Sequence, residues 1–207
     1  MNFGFGINRA LAVACVVSAM ALSLPARAVE VAGIKVDETA RVANQDLKLN
    51  GAGIRYKAIF KVYVAALYLG NKKSTETEVL ALPGAKRIEL TLLREVSSED
   101  LGQAFMAGMR KNSPIAERAK LINEMLIFGQ VFATIPAFKK GDVLTVDWIP
   151  GTGTLIMSNG KKLGDVLPAV AFYNALLKIW LGHSPADDKL KRAMLGEKEA
   201  APQTNTY

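Results

Sequence analysis

The sequence predicts a single α+β domain, in which helices pack on one side of a mostly antiparallel sheet. Strand-like segments are followed by helix-like segments, then by two more strands and a helical end, without regular β–α alternation. The last two strands are separated by a glycine-bearing turn, which is typical of a hairpin. Several helical segments carry one apolar stripe, which indicates packing on a shared surface.

The first 28 residues have the anatomy of a secretory signal peptide. Arg9 precedes an apolar stretch, Pro25 ends it, and Ala26-Arg27-Ala28 forms a cleavage site of small residues, so we expect cleavage after Ala28. The stretch from 10 to 24 is shorter than the about 20 residues that span a membrane, so no integral segment is expected after cleavage. The sequence therefore predicts a periplasmic or secreted protein.

Composition excludes several classes of function. The single cysteine, Cys15, leaves with the leader, so disulfides and thiol chemistry are not expected in the mature chain. The formal net charge is +7, but the lysine pairs lie near predicted turns and form no stripe interleaved with aromatics, so no nucleic-acid partner is expected. His183 is the lone histidine, and phosphate or dinucleotide loops are missing from the sequence, so we predict no metal and no cofactor. The oligomeric state stays open.

The first part of the mature chain predicts strands and one short helix. We expect a strand over Val29–Val36, a second segment from Leu47, a turn at Asn50–Gly53 and an extended segment over Ile54–Leu69. Ser74–Leu82 predicts a helix, with Ser74 or Thr75 as its N-cap.

The second part predicts the remaining strands and helices. A strand over Lys86–Glu95 precedes a helix that Ser97 or Ser98 caps, with Leu101, Phe105 and Met109 along one face. A further helix opens at Pro114, and its predicted inner face is Ile115, Ala119, Ile122, Met125 and Leu126. Strands at 143–149 and 154–158, a turn at Asn159-Gly160, helices at 165–181 and 186–195, and a polar tail at 197–207 complete the prediction.

One arginine beside an apolar run is the main candidate for chemistry. Arg55 follows Gly51 and Gly53 and precedes the run Ile59–Leu69, which contains one charge and two tyrosines, Tyr63 and Tyr68. A strand this apolar is covered on both faces or lines a cavity. A guanidinium next to it loses water and needs an anionic or electron-rich partner, either in the protein or in a ligand.

Two segments resemble the chalcone isomerase fold family. They are the stretch NGAGIRYKAIFKVYVAALYLG at 50–70 and the stretch ALLKIWLGHSPADDKLKRAMLG at 175–196. The similarity is to exported bacterial chalcone-isomerase-like proteins, and it covers nearly all of the mature chain. The resemblance implies an antiparallel sheet, helices layered against it, a ligand cleft between them, and one domain over residues 29–196.

The resemblance also implies two kinds of activity. The plant enzymes of the family close a chalcone to a flavanone by intramolecular oxa-Michael addition, and other members bind fatty acids with the same arginine facing the carboxylate. Arg55 matches that arginine, Tyr63 falls at the strand threonine of the plant site, and Tyr173 falls near its late serine or threonine. Ser97 and Ala104 stand where the plant enzymes have tyrosine and asparagine, so that part of the catalytic set is not reproduced.

Three hypotheses follow. In the first, the protein is a non-catalytic binder of an amphipathic small molecule such as a fatty acid, with Arg55 at the anionic head beside Tyr63 and Tyr68 or Tyr173. Phe105 and Met109 then contact the apolar body. In the second, the protein is a chalcone isomerase-type intramolecular lyase with Arg55 and Tyr63 as catalytic residues. In the third, the role is structural or partner-binding, and Arg55 pairs internally with an acid such as Glu89 or Asp147.

Overall fold

A computed structural model describes Met1 and residues 28–197 of the chain. Residues 2–27 of the predicted leader and the polar tail after Glu197 lie outside the described residues, so cleavage after Ala28 stays a prediction. Within 28–197 the chain forms eleven strands and six helices. The strands are β1 (Ala28–Val31), β2 (Ile34–Asp37), β3 (Thr39–Val42), β4 (Gln45–Lys57), β5 (Phe60–Leu69), β6 (Lys86–Leu92), β7 (Val96–Ser97), β8 (Ala137–Phe138), β9 (Val143–Ile149), β10 (Gly153–Ser158) and β11 (Lys161–Lys162). The helices are α1 (Glu76–Ala81), α2 (Ser98–Asn112), α3 (Ile115–Lys120), α4 (Ile122–Ala133), α5 (Val170–Leu181) and α6 (Asp188–Met194).

Seven strands form one antiparallel sheet in the order β11-β10-β9-β6-β5-β4-β3. Successive side chains of β5 alternate between two apolar clusters. Tyr63, Ala65 and Leu67 join the large core beneath α2, α4 and α5, whereas Val64, Ala66 and Tyr68 face a smaller cluster with Val36 of the β1–β2 hairpin. The predicted α+β class with an antiparallel sheet is therefore confirmed.

Two predicted single strands are hairpins. The segment 29–36 reverses at Ala32-Gly33, where both residues have positive φ, into β1 and β2. The segment 54–69 reverses at Ala58-Ile59, and Lys57 lies opposite Phe60. Arg55 is thus near the end of β4 and does not begin the apolar strand. Neither turn contains the Asn-Gly pair that marks a tight hairpin in a sequence, which is why pattern alone missed both.

The predicted turn at Asn50–Gly53 is also wrong, because these residues lie inside β4. Their glycines allow α6 to approach the strand. A Cβ on Gly51 would overlap the backbone carbonyl of Ala193, and one on Gly53 would lie 2.7 Å from the Ala193 Cβ. Asn50 fixes the same contact, since its Nδ2 donates to the Met194 carbonyl at 2.7 Å. The strand and α6 therefore form one unit.

Helix caps were predicted better than helix faces. Thr75 caps α1 in a capping box, and the Ser97 hydroxyl accepts a hydrogen bond from the Asp100 N–H at the start of α2. The stripe Leu101, Phe105 and Met109 is buried as predicted.

The helix predicted after Pro114 is two helices, broken at Leu121, and its predicted inner face is mostly wrong. Ile115, Ile122 and Leu126 are exposed, while the inner side of α4 is formed by Met125, Phe128, Val131 and Phe132. Because α4 is apolar around most of its circumference, the sequence pattern alone does not select the face that packs.

The helix predicted from Asp165 begins only at Val170. The residues before it are held in another conformation, because Leu167 exchanges two backbone hydrogen bonds with Thr154 of β10. The predicted strands of the β9–β10 hairpin and the tight turn at Asn159-Gly160 are present.

Candidate functional site

Arg55 lies on the helix-covered face of the sheet, directly opposite Tyr63 in the β4–β5 register. Its side chain is 24% exposed, so most of the guanidinium and its stem are withdrawn from bulk water. The position results from two local features, the long strand β4 and the close approach of α6 at Gly51 and Gly53.

The acid next to Arg55 is Asp187, not Glu89 or Asp147 as one hypothesis predicted. Oδ2 of Asp187 lies 3.9 Å from Nη1 of Arg55, and the carboxylate is 14% exposed. Glu89 and Asp147 belong to the opposite face of the sheet, where Asp147 is bound by Arg87. An internal acid does lie beside Arg55, but the two residues given as examples are wrong, because strand parity places positions 89 and 147 on the opposite face.

The Asp187 carboxylate is already occupied by backbone donors. It is the N-cap of α6, where Oδ1 accepts from the N–H groups of Lys189 and Leu190 at 2.9 and 3.1 Å. Oδ2 accepts from the Tyr56 N–H at 3.1 Å. The 3.9 Å approach of Arg55 is longer than a hydrogen bond, so this carboxylate takes none of the five guanidinium N–H donors at close range. The Arg55 donors instead lie beside the Tyr63 hydroxyl, and their hydrogen bonding acts to lower its pKa.

Tyr63 is fully buried next to Arg55, and its hydroxyl oxygen accepts a hydrogen bond from the indole N–H of Trp180 at 3.0 Å. Burial raises the pKa of Tyr63 to about 12, although the Trp180 hydrogen bond and the Arg55 charge act in the opposite direction. The phenol is therefore protonated at neutral pH. Because the Trp180 N–H donates to the Tyr63 hydroxyl oxygen, the Tyr63 O–H group can itself donate to an acceptor.

An aromatic cluster fills the space between Trp180 and the outer helices. The Phe105 ring meets Trp180 edge-on at 5.4 Å, and it contacts the rings of Phe128 and Phe132 at 6.2 and 5.7 Å. Met109, one turn after Phe105 on α2, is also buried. Both predicted body-contacting residues thus lie in the core on the same side of the sheet as Arg55.

Two predicted tyrosines lie away from this cluster. Tyr68 projects from β5 to the opposite face, near Glu89 and Arg87, and burial raises its pKa. Tyr173 is on α5, but it is seven positions before Trp180, about 10 Å along the helix axis. Its hydroxyl lies 3.5 Å from the Val146 carbonyl. Strand alternation therefore places Tyr68 on the face opposite Arg55, whereas Tyr173 lies in the same core cluster as Tyr63 and its contact with a ligand stays a prediction.

The larger of the two grooves described has a volume of about 870 Å³ and lies beside β4, between β1 and α6. Its lining includes Val29, Ile54, Tyr56 and Lys189, but not Arg55 or Tyr63. The Arg55–Tyr63 cluster is separate from it, on the inner side of the sheet. In the part of the chain that the structure describes, no helix is long and apolar enough to cross a bilayer.

The two positions that the sequence comparison aligned with the plant tyrosine and asparagine, Ser97 and Ala104, offer no acid–base group to Arg55. Ser97 is engaged as the N-cap of α2, and Ala104 is exposed on the outer side of that helix. Two residues that sequence reasoning did not assign to the site belong to it. Asp187 and Trp180 lie more than a hundred positions from their partners in β4 and β5, so no local signal could connect them.

Three comparisons with known proteins bear on this geometry. The family described as chalcone isomerase-like matches residues 28–196. Among solved structures, a fatty-acid binding protein of Arabidopsis thaliana superposes with a TM-score of 0.61 at 12% identity, covering 79% of this chain and 92% of that one. No curated protein sequence matches significantly.

Proposed function

This chain belongs to the chalcone isomerase-like family, and from that premise we propose that it is an exported, non-catalytic protein that binds an amphipathic small molecule such as a fatty acid. Arg55 and Tyr63 hold the anionic head, and the aromatic core contacts the apolar body. The name of the structurally similar Arabidopsis thaliana protein supports this class of ligand. The predicted leader supports the exported location.

The observation that carries the proposal is the incomplete pairing of Arg55. Its guanidinium is mostly buried, yet Asp187 approaches it only to 3.9 Å and already accepts three backbone hydrogen bonds. A carboxylate from a ligand can accept two parallel hydrogen bonds from a guanidinium, a geometry that Asp187 does not reach. In a partly dry site such a charge-assisted pair is stronger than in water.

Tyr63 supplies the second contact to the head. The pKa of about 12 keeps its hydroxyl protonated at neutral pH, so it acts as a donor. Trp180 fixes the oxygen from the other side. Arg55 and Tyr63 face each other across neighbouring strands, so one anionic head can accept from both.

The apolar tail then enters the space beneath the helices. Aromatic side chains fill that space, including Phe128 and Phe132 on the inner side of α4, so the proposal requires the tail to displace them. Flexible methionines such as Met109 and Met125 adapt to an irregular apolar ligand more easily than branched side chains do.

A calorimetric titration of the protein with a long-chain fatty acid tests the proposal. We expect Arg55→Gln to weaken binding at least tenfold, the loss of about 1.4 kcal/mol or more from one charge-assisted contact. Tyr63→Phe should weaken it by a smaller factor. The matched control is Arg41→Gln on β3, which removes the same charge from an exposed position of the same sheet.

Equal affinity in wild type and Arg55→Gln would refute the head-group assignment. Turnover of a 2′-hydroxychalcone above background, measured by ultraviolet absorbance and abolished by Arg55→Gln, would replace the binder by the isomerase hypothesis.

A further inference from the structure

The β4–β5 hairpin ends in an apolar tip. Ile59 is 84% exposed and Phe60 is 55% exposed, so much of both side chains faces water. Phe60 lies three residues before Tyr63 and Ile59 lies four residues after Arg55, so the tip is at the end of the hairpin next to the proposed head-group site.

The fold does not require apolar residues at this turn. The loop has two residues, Ala58 and Ile59, and Ala58 has φ +55°, a conformation that glycine or asparagine adopts at lower cost. Two other turns of the same sheet carry no large apolar residue: Asn159-Gly160 joins β10 to β11, and Ala43-Asn44, with Ala43 also at positive φ, joins β3 to β4. Ile59 is therefore the residue that departs at the β4–β5 turn. A residue choice that departs from local turn chemistry without gain in packing points to a use outside the fold.

Basic residues surround the apolar tip. Lys57 and Lys61 flank it in sequence and are exposed, and the Arg94 guanidinium lies 5.0 Å above the Phe60 ring. No acid occurs between Tyr56 and Tyr63, and Glu95 beside Arg94 is the nearest acid in the adjoining segment. The tip therefore combines two exposed apolar side chains with a net positive charge.

We propose that this tip docks the protein on a lipid bilayer that carries negatively charged head groups, with Ile59 and Phe60 entering the interfacial region. Apolar side chains rimmed by lysine and arginine match such a surface in both polarity and charge. A protein partner fits less well, since a stable interface covers roughly 800 Å² on each side and two side chains supply a small part of that.

Docking in this way brings the end of the sheet that carries Arg55 and Tyr63 close to the membrane, into which an amphipathic anion partitions. This second step, uptake of the ligand from the bilayer, rests on the proposed function. The docking itself does not, because it depends only on the tip and its charges. The two can therefore fail separately.

Vesicle sedimentation tests the docking. The protein is purified after export, with its N-terminus defined by mass spectrometry so that an uncleaved leader cannot contribute. Binding is measured to phosphatidylcholine vesicles with and without phosphatidylglycerol. We expect binding only with the anionic lipid, a loss of about tenfold for Ile59→Ser from the removed apolar contact, and a loss of about fivefold for Lys61→Gln, the usual weight of one basic residue near an anionic surface.

The matched control is Leu126→Ser. Leu126 and Ile122 form another exposed apolar surface, on α4, and we expect this variant to bind like wild type. Arg55→Gln should also bind vesicles normally while losing fatty-acid affinity. Ile59→Ser should keep fatty-acid affinity in solution but take up a fluorescent fatty acid from vesicles more slowly.

Three results would overturn the docking proposal. They are wild-type protein that does not bind anionic vesicles, equal binding of wild type and Ile59→Ser, and loss of binding in Leu126→Ser with retention in Ile59→Ser, which would assign docking to α4. Circular dichroism of each variant establishes that the fold is intact.

Discussion

Two arginines on opposite faces of one sheet differ in how closely each guanidinium is paired with a carboxylate. On β6, Arg87 lies directly opposite Asp147 of β9 and donates two hydrogen bonds to its carboxylate at 2.7 and 2.6 Å, with the side chains 15% and 3% exposed. On β4, Arg55 faces Tyr63 and meets Asp187 at a single distance of 3.9 Å. The Arg55–Asp187 pair is more exposed than the Arg87–Asp147 pair, and only Arg87 donates hydrogen bonds to its acid.

The difference shows why a buried arginine is not by itself a binding site. The Asp147 hydrogen bonds raise the pKa of Arg87 and use its bidentate edge, so Arg87 is a structural cation. Asp187 is satisfied by the N–H groups of α6 and β4, which leaves Arg55 with donors for a ligand. The two positions differ because the Asp147 carboxylate accepts hydrogen bonds from its arginine, whereas the Asp187 carboxylate accepts them from backbone N–H groups.

The largest loss of folding stability should come from replacing Arg87, the arginine that is fully paired with its acid. Arg87→Gln leaves the Asp147 carboxylate buried without its cation, and we expect a loss of about 3–5 kcal/mol in the free energy of unfolding. Arg55→Gln removes a long, partly solvated pair and should cost about 0.2–1 kcal/mol. Urea denaturation of both variants measures the comparison.

A double variant tests whether the loss comes from the Asp147 carboxylate that Arg87→Gln leaves buried without a cation. Arg87→Met with Asp147→Leu removes both charges and should recover much of the lost stability, because an apolar pair replaces a buried ion pair at little net cost. Similar losses in Arg87→Gln and Arg55→Gln would contradict the distinction between the two sites.

The next effect concerns α6, which holds Asp187 beside Arg55. Gly51→Ala drives a Cβ into the Ala193 carbonyl, and we expect a destabilisation of about 1–3 kcal/mol from overpacking. The control is Gly129→Ala inside α4, where an added Cβ meets no atom within 4 Å and helix propensity improves by up to about 1 kcal/mol. A neutral Gly51→Ala would mean that the contact between β4 and α6 is not tight.

The sequence predicted the fold class and the caps because these depend on short-range patterns. Ser97 precedes acidic residues and an apolar stripe, which is a local signature of a helix start, and the structure has that cap. The hairpin at Ala58-Ile59 and the outward face of α4 could not be predicted, because one departs from turn chemistry and the other is apolar on both sides.

The site was predicted only in part for a related reason. Arg55 was identified from its apolar neighbours, but its acid is 132 positions away, and Trp180 is 117 positions from Tyr63. Such contacts depend on how α5 and α6 pack on the sheet. Strand parity, which separates Tyr63 from Tyr68, was available from the sequence, because the two residues lie an odd number of positions apart in one extended segment.

A smaller effect is expected from the acid beside Arg55. Asp187→Asn keeps an N-cap side chain for α6 but removes the negative charge that competes with a ligand carboxylate. We expect fatty-acid affinity to rise by up to about fivefold, since a partly exposed pair is worth about 1 kcal/mol at most. Calorimetry on Asp188→Asn, the neighbouring acid in the first turn of α6, provides the control. Weaker binding by Asp187→Asn would indicate that Asp187 orients Arg55 for the ligand.

The smallest change in stability is expected at Glu89, which lies near Arg87. Burial raises the pKa of Glu89 above its ordinary value of 4.5, Asp37 and Asp147 add to the rise, and Arg87 opposes it. In the interval between 4.5 and the raised value the folded state binds more protons than the unfolded state, so this group lowers stability as pH rises through that interval. Glu89→Gln should therefore be slightly more stable than wild type at neutral pH, with a difference that disappears as the pH falls below 4.5. Thermal unfolding at several pH values measures this, with Glu38→Gln as the exposed control. A Glu89→Gln variant that is less stable at neutral pH would show that Arg87 binds Glu89 as well as Asp147, and that the second face is a network of charges instead of one closed pair.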